Sequence, residues 1–181
     1  VPPDIPAGGT DRLYVLGDSL GLGPGGRGTW PRLLEDLTSL KVSDLTEPGQ
    51  PLMRARRRTV FVQESPSVVL LSLGGCDIVD GIDVEQFENL MRYVIIGVGR
   101  PTRTVAMLEL PLRPFQNQYG AAQRSLAQEF GVVLIPRRIL ARVMYESGDR
   151  FDQYELGPIG HRALAEALAE LLDEQELAGS L

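Results

Sequence analysis

Arg12-Leu13-Tyr14-Val15-Leu16-Gly17-Asp18-Ser19-Leu20-Gly21-Leu22-Gly23 is the stretch from which the fold can be read. Arg12 to Leu16 reads as a buried strand, and the apolar run stops at a glycine-rich turn beginning at Gly17. Downstream, Trp30, Leu33, Leu34 and Leu37 recur at helical spacing. Thr29 is placed to cap that helix, and Pro31 suits its first turn. A strand that ends in a glycine turn and leads into a helix is the opening unit of a parallel α/β sheet. The rest of the chain repeats the alternation. Lys41 to Leu45 is the second expected strand, and Pro48-Gly49 breaks the chain before a helix from Leu52 to Val62. Val68 to Leu73 is continuously apolar, as a central strand buried on both faces requires, and it leads into the loop Gly74-Gly75-Cys76-Asp77. Helices are expected at Val84 to Gly97 and Gln116 to Phe130, with strands at Thr104 to Leu110 and Val132 to Ile135. The last helix is expected from Pro158 to Leu172, with Leu164, Leu168, Leu171 and Leu172 facing the core. The pattern predicts a three-layer α/β/α sandwich with a five-stranded parallel sheet. The loops after the first three strands should meet at its carboxyl edge, where open α/β folds bind ligands.

At 181 residues the chain has room for one domain of typical size. We assign that domain to residues 12–172, with 1–11 as an N-terminal extension or linker remnant and 173–181 as a polar tail. Eighteen basic against twenty-four acidic residues give a net charge of −6, which opposes nucleic-acid binding and broad attraction to anionic lipid, while a local basic patch stays open. No apolar run approaches the ~20 residues of a membrane span, so a soluble protein is expected. The sequence starts at Val1 without an initiator Met, so localisation stays open, export included if a signal segment preceded it. One cysteine, Cys76, excludes an intrachain disulfide and a cysteine zinc cluster, and one histidine, His161, excludes histidine-rich metal sites. The glycine-rich loop lacks the lysine of a phosphate-binding P-loop. No metal or cofactor is expected, and nothing in the sequence sets the oligomeric state.

Gly17-Asp18-Ser19-Leu20 after a strand, followed by Trp30-Pro31, resembles the first block of the SGNH, or GDSL-type, hydrolase family. Gly49 falls where the family's second-block glycine belongs. Gly74-Gly75-Cys76-Asp77 sits at its Gly-x-Asn-Asp block, and the segment from Asp152 to His161 is similar to its last block, an Asp-x-x-His followed by a Gly-His helix start. The resemblance implies a flavodoxin-like SGNH fold and hydrolysis of a carboxylic ester, an acyl or acetyl group on a small or carbohydrate-linked ligand. It casts Ser19 as nucleophile, Asp152 as orienting carboxylate, Gly49 as oxyanion donor, and Asp18 and Asp77 as pocket residues. Two positions depart from the family: Cys76 stands where the oxyanion asparagine belongs, and Glu155 where the catalytic histidine belongs.

Those departures bear on the chemistry. A serine hydroxyl needs a base that titrates near the working pH; imidazole at ~6.5 suits this and glutamate at ~4.3 does not. A thiol is also a weaker donor than a carboxamide. Cys76 is expected to fill space rather than attack, and Glu155 to pair with an arginine. His161, six residues past Glu155, matches the family's second, non-catalytic histidine and is the lesser candidate base. Asp18, Asp77, Asp152 and Glu155 together would suit a hard cation. The run Arg54 to Arg58 reads as a solvated helix face with capacity for an anion. Two functions therefore compete: a serine esterase with an unusual base, and a non-catalytic descendant that binds a ligand or partner in the same pocket.

Overall fold

Chain segments that are apolar on both faces form the middle of the sheet. The computed structural model describes Ile5, residues 9–18, Leu20, 28–149 and 154–173. In it β1 spans Arg12–Asp18, β2 Lys41–Glu47, β3 Ser67–Ser72, β4 Arg103–Leu108 and β5 Val133–Ile135. All pair in parallel, in the order β2-β1-β3-β4-β5. Every residue of β3 is buried, which is why its sequence shows no polar alternation.

Among the described residues, seven helices connect and cover the strands: α1 Trp30–Leu37, α2 Leu52–Arg58, α3 Gly75–Val79, α4 Val84–Val98, α5 Asn117–Phe130, α6 Arg137–Ser147 and α7 Pro158–Asp173. Because crossovers are right-handed, the step from β1 out to β2 and the later steps from β2 through β5 put their helices on opposite faces. The packing agrees: α1 and α6 lie on α7, while α2 and α5 lie on α4. The chain reverses direction between β1 and β3, the switch point at which such sheets place their ligands. Leu164, Leu168, Leu171 and Leu172 of α7 are buried, as their spacing predicts.

Several local expectations need correction. The third loop is not wholly irregular, since Gly75–Val79 forms a short helix, with Gly74 in the left-handed region before it. α6 was not anticipated; it begins directly after Pro136, a residue that reads as a break but whose missing N–H costs nothing at a helix start. The helix expected to reach Val62 ends at Arg58 and tightens into a 3-10 turn over Thr59–Phe61. β4 stops at Leu108; the Leu110 N–H bonds instead to the Gln123 carboxamide at 3.0 Å. Thr29 stands at the start of α1, but its hydroxyl makes no capping bond, and Leu37 is largely exposed.

Gly17 shows how tightly the sheet closes at the site. Its φ is +133°, and a Cβ there would lie 1.9 Å from the Ser72 carbonyl oxygen of β3. Gly131, also at positive φ, has open space around it. Gly17→Ala should therefore destabilise the fold by roughly 3 kcal/mol or more, through strain plus overpacking. Gly131→Ala should cost only about 1 kcal/mol. Urea unfolding of the two variants checks this, and equal losses would contradict it.

Candidate active site

The loops after β1, β2 and β3 converge on two buried carboxylates. Asp18, the last residue of β1, is 5% exposed, and its Oδ1 accepts the N–H of Leu20 at 3.0 Å and that of Gly49 at 3.2 Å. It thus ties the first block to the second. Asp77, 6% exposed in α3, accepts the Leu52 N–H with both oxygens, at 3.2 and 3.0 Å. That bond ties the start of α2 to the end of β3. Removal from water pushes both carboxyl groups above the usual aspartate range, against the lowering effect of these amide bonds. The charges of Asp77 and Glu155 raise Asp18 further.

Cys76 is half-buried, and its thiol donates to the Gln50 carbonyl at 3.2 Å and faces Asp77 Oδ2 at 3.6 Å. Burial, with Asp77 and Asp18 nearby, pushes its pKa far up, so it stays a protonated thiol rather than a nucleophile. Its weak S–H donor is already occupied by the Gln50 carbonyl.

The last block docks over the same edge. The Leu156 N–H donates to the Leu20 carbonyl at 2.6 Å, and the Tyr154 ring lies so close to Gly75 that a Cβ there would stand 3.1 Å from it. Tyr154 is 1% exposed and has a φ of +53°, a conformation uncommon for a bulky residue and characteristic of functional loops. These contacts hold the exposed Glu155 near enough for its charge to act on Asp18. The arginine partner expected for Glu155 is not there: among the described residues it forms no ion pair. Ser19 and Asp152 lie outside the described residues. No three His, Cys, Asp or Glu side chains among the described residues are grouped to hold a metal.

His161 occupies a different position. It is 0% exposed in the first turn of α7, and its Nδ1 accepts the Trp30 N–H at 3.2 Å. The imidazole therefore satisfies the first backbone N–H of α1, while the Thr29 hydroxyl makes no capping bond. An Nδ1 that accepts a hydrogen bond carries no proton, so the neutral ring holds its proton on Nε2. Burial lowers its pKa, with the charge of Asp149 opposing part of the shift.

Three contributors gave no usable sequence signal. Asp149 accepts the Gly157 N–H at 2.8 Å and the Ser147 hydroxyl, and fixes the approach to α7. Gln50 is 1% exposed, and both polar atoms of its carboxamide are unpartnered among the described residues. The Leu52 N–H belongs to the backbone, which no residue type advertises. Tyr154 could have been flagged only by its place between Asp152 and Glu155.

No protein-family model matches the chain. Thioesterase 1/protease 1/lysophospholipase L1 of Escherichia coli K12 is 30% identical over 145 residues, covering 72% of this chain and 68% of that protein. Among solved structures, the psychrotrophic esterase EstA from Pseudoalteromonas superposes with a TM-score of 0.77 at 15% identity, over 94% of this chain and 100% of that one. A member of the lipolytic G-D-S-L family from Veillonella parvula gives 0.67 at 16% identity, over 88% and 96%. These two structural likenesses speak to the fold alone.

Because the chain has one histidine, its titration is unambiguous by NMR. His161 should titrate below 6.5 and keep its proton on Nε2 when neutral. A pKa depressed by folding means that this contribution to stability is complete above about pH 6.5 and falls away as the pH drops through the folded-state value. A pKa above 6.5, or the Nδ1–H tautomer, would contradict the buried capping role.

Proposed function

This chain belongs to the SGNH, or GDSL-type, hydrolase family, and we propose that its pocket binds an acyl ester without fast turnover by a serine–histidine route. The observation that carries this reading is the position of His161: the only imidazole in the chain is fully buried, with its accepting nitrogen committed to Trp30. By the family pattern, the position of the base then falls to Glu155. The acyl-ester class follows from the relatives, a thioesterase and lysophospholipase and an esterase.

In the family reaction the serine oxygen attacks the ester carbon while a base takes its proton, and the alcohol leaves as the acyl-enzyme forms. Each part is weakened here. A carboxylate near ~4.3 holds a serine proton poorly at neutral pH, and a well-matched general base is worth about 10²–10⁴ in rate. Replacing the oxyanion carboxamide by Cys76 removes a donor worth about 10²–10³, since the thiol hydrogen is directed at Gln50. The Gly49 N–H is held by Asp18, so a carbonyl oxygen must compete with a carboxylate for it. Binding is less affected. The loops are tied by Asp18 and Asp77 whether or not chemistry occurs.

A second reading keeps slow hydrolysis, with Glu155 as the base. It is favoured by the nearness of Glu155 to Asp18, whose carboxyl its charge pushes upward. Its mark is turnover that is lost both in Ser19→Ala and in Glu155→Gln.

Hydrolysis of short-chain p-nitrophenyl esters separates the two. The unaltered protein and Ser19→Ala should be alike, and Glu155→His should gain about 10²-fold or more. Serine-dependent turnover in the unaltered protein that equals or exceeds Glu155→His would overturn the first reading and leave the second.

A further inference from the structure

Away from the pocket, the surface of α2, the following 3-10 turn and α4 combines two features that seldom share one patch. Met53, Val60, Phe61, Tyr93 and Ile96 are 43, 66, 56, 50 and 53% exposed. Single exposed apolar residues need no explanation, but a contiguous group marks an interaction surface. The same elements carry cations without acidic partners. Arg54 and Arg58 pair with Glu47. Arg56, Arg57 and Arg100 form no ion pair among the described residues, and the Arg56 guanidinium lies 4.3 Å from the centre of the Tyr93 ring.

Between the 3-10 turn and the end of α4 lies a cavity of about 290 Å³, lined by Thr59, Val60, Gly97, Arg100 and Arg103 among others. Gly97 makes room for this close approach, since a Cβ there would stand 2.8 Å from the Thr59 hydroxyl. Arg103 is braced by the carbonyls of Val62 at 2.8 Å, Val98 at 2.9 Å and Glu64 at 3.0 Å. It too has no carboxylate partner among the described residues. Two guanidiniums at one cavity, held by carbonyl dipoles and not by counter-charges, leave a positive potential for an anion.

We propose that this face docks on an anionic lipid bilayer, seating a headgroup phosphate in the Arg100–Arg103 cavity and Val60, Phe61 and Ile96 among the acyl chains. Interfacial attachment combines buried apolar area with attraction to anionic lipid, and this patch supplies both. Charge complementarity chooses the occupant. A second copy meeting this face about a two-fold axis would bring Arg56, Arg57 and Arg100 against their own counterparts. The net charge of −6 leaves the rest of the surface repelled by an anionic membrane, which orients this patch toward it. α2 begins at Leu52, bonded to Asp77, so the docking face starts at the rim of the pocket.

Vesicle flotation of the full chain tests the proposal, with phosphatidylcholine alone and phosphatidylcholine mixed with phosphatidylglycerol, at low and high salt. Attachment should require phosphatidylglycerol and weaken with salt. Arg57→Glu with Arg100→Glu should weaken it by more than about 25-fold, about fivefold for each positive charge removed and further for the negative charges added. Val60→Ser with Phe61→Ser should leave only attachment that high salt releases. Arg138→Glu, on α6 across the sheet, should change nothing, and melting temperatures establish that each variant folds. The proposal is overturned if vesicles are not bound at low salt, or if Arg138→Glu weakens attachment as much as the double reversal. It is also overturned if inorganic phosphate alone stabilises the protein through Arg100 while vesicles stay free. A concentration-dependent dimer abolished by Phe61→Ser, without vesicle attachment, would assign the face to a second copy.

Discussion

The Asp18 carboxylate, withdrawn from water at the end of β1 and bonded to the amides of Leu20 and Gly49, is the contact on which the rest of the site depends. It reaches both amides because Gly17 lets β1 run against the Ser72 carbonyl at a distance that admits no side chain. Asp77 repeats the device one strand over, holding the start of α2 through Leu52. Burying two carboxyl groups is costly, and it shows in their upward-shifted pKa values. The amide bonds offset part of that cost and in return fix three loops in one arrangement. None of these ties involves a catalytic base, so the loop geometry can outlast the loss of one.

The histidine has its own structural task. By accepting the Trp30 N–H, His161 joins the start of α1 to the start of α7, two helices that pack on the same face of the sheet. Asp149 secures the segment ahead of α7 through Gly157, and a Cβ on Gly160 would lie 1.9 Å from its carboxylate. With Tyr154 on Gly75 and Leu156 on Leu20, the last block is docked by packing and backbone bonds. A base at position 155 is not needed to hold it there. The contacts that build this edge are thus separate from the residues proposed to carry chemistry.

Much of the fold was legible in local patterns. The apolar runs at Leu13 to Leu16 and Val68 to Leu73 each ended at a glycine junction, and both became strands at the switch point. α6 was not legible, because Ile139, Leu140, Val143 and Met144 alternate with Arg137, Arg138 and Arg142 straight after a proline. Gly74-Gly75 likewise hid a helical turn. At the site, the blocks containing Asp18, Gly49, Cys76 and Asp77 were correctly expected to meet. The long ties were not readable, since the bonds of Asp18 to Gly49, Asp77 to Leu52, Cys76 to Gln50 and His161 to Trp30 join residues 25 to 131 positions apart. The arginine run was read as a solvated face, and the neighbouring Tyr93, Ile96 and Arg100 of the α4 side came into view only when α2 and α4 were packed together.

The central claim, that Ser19 has no effective base, is most directly tested by intact-protein mass spectrometry after exposure to an alkyl fluorophosphonate, which forms a covalent adduct with an activated serine. The account predicts that the unaltered chain stays unlabelled on the timescale at which Glu155→His becomes stoichiometrically modified at Ser19. Rapid, complete labelling of Ser19 in the unaltered chain would contradict it.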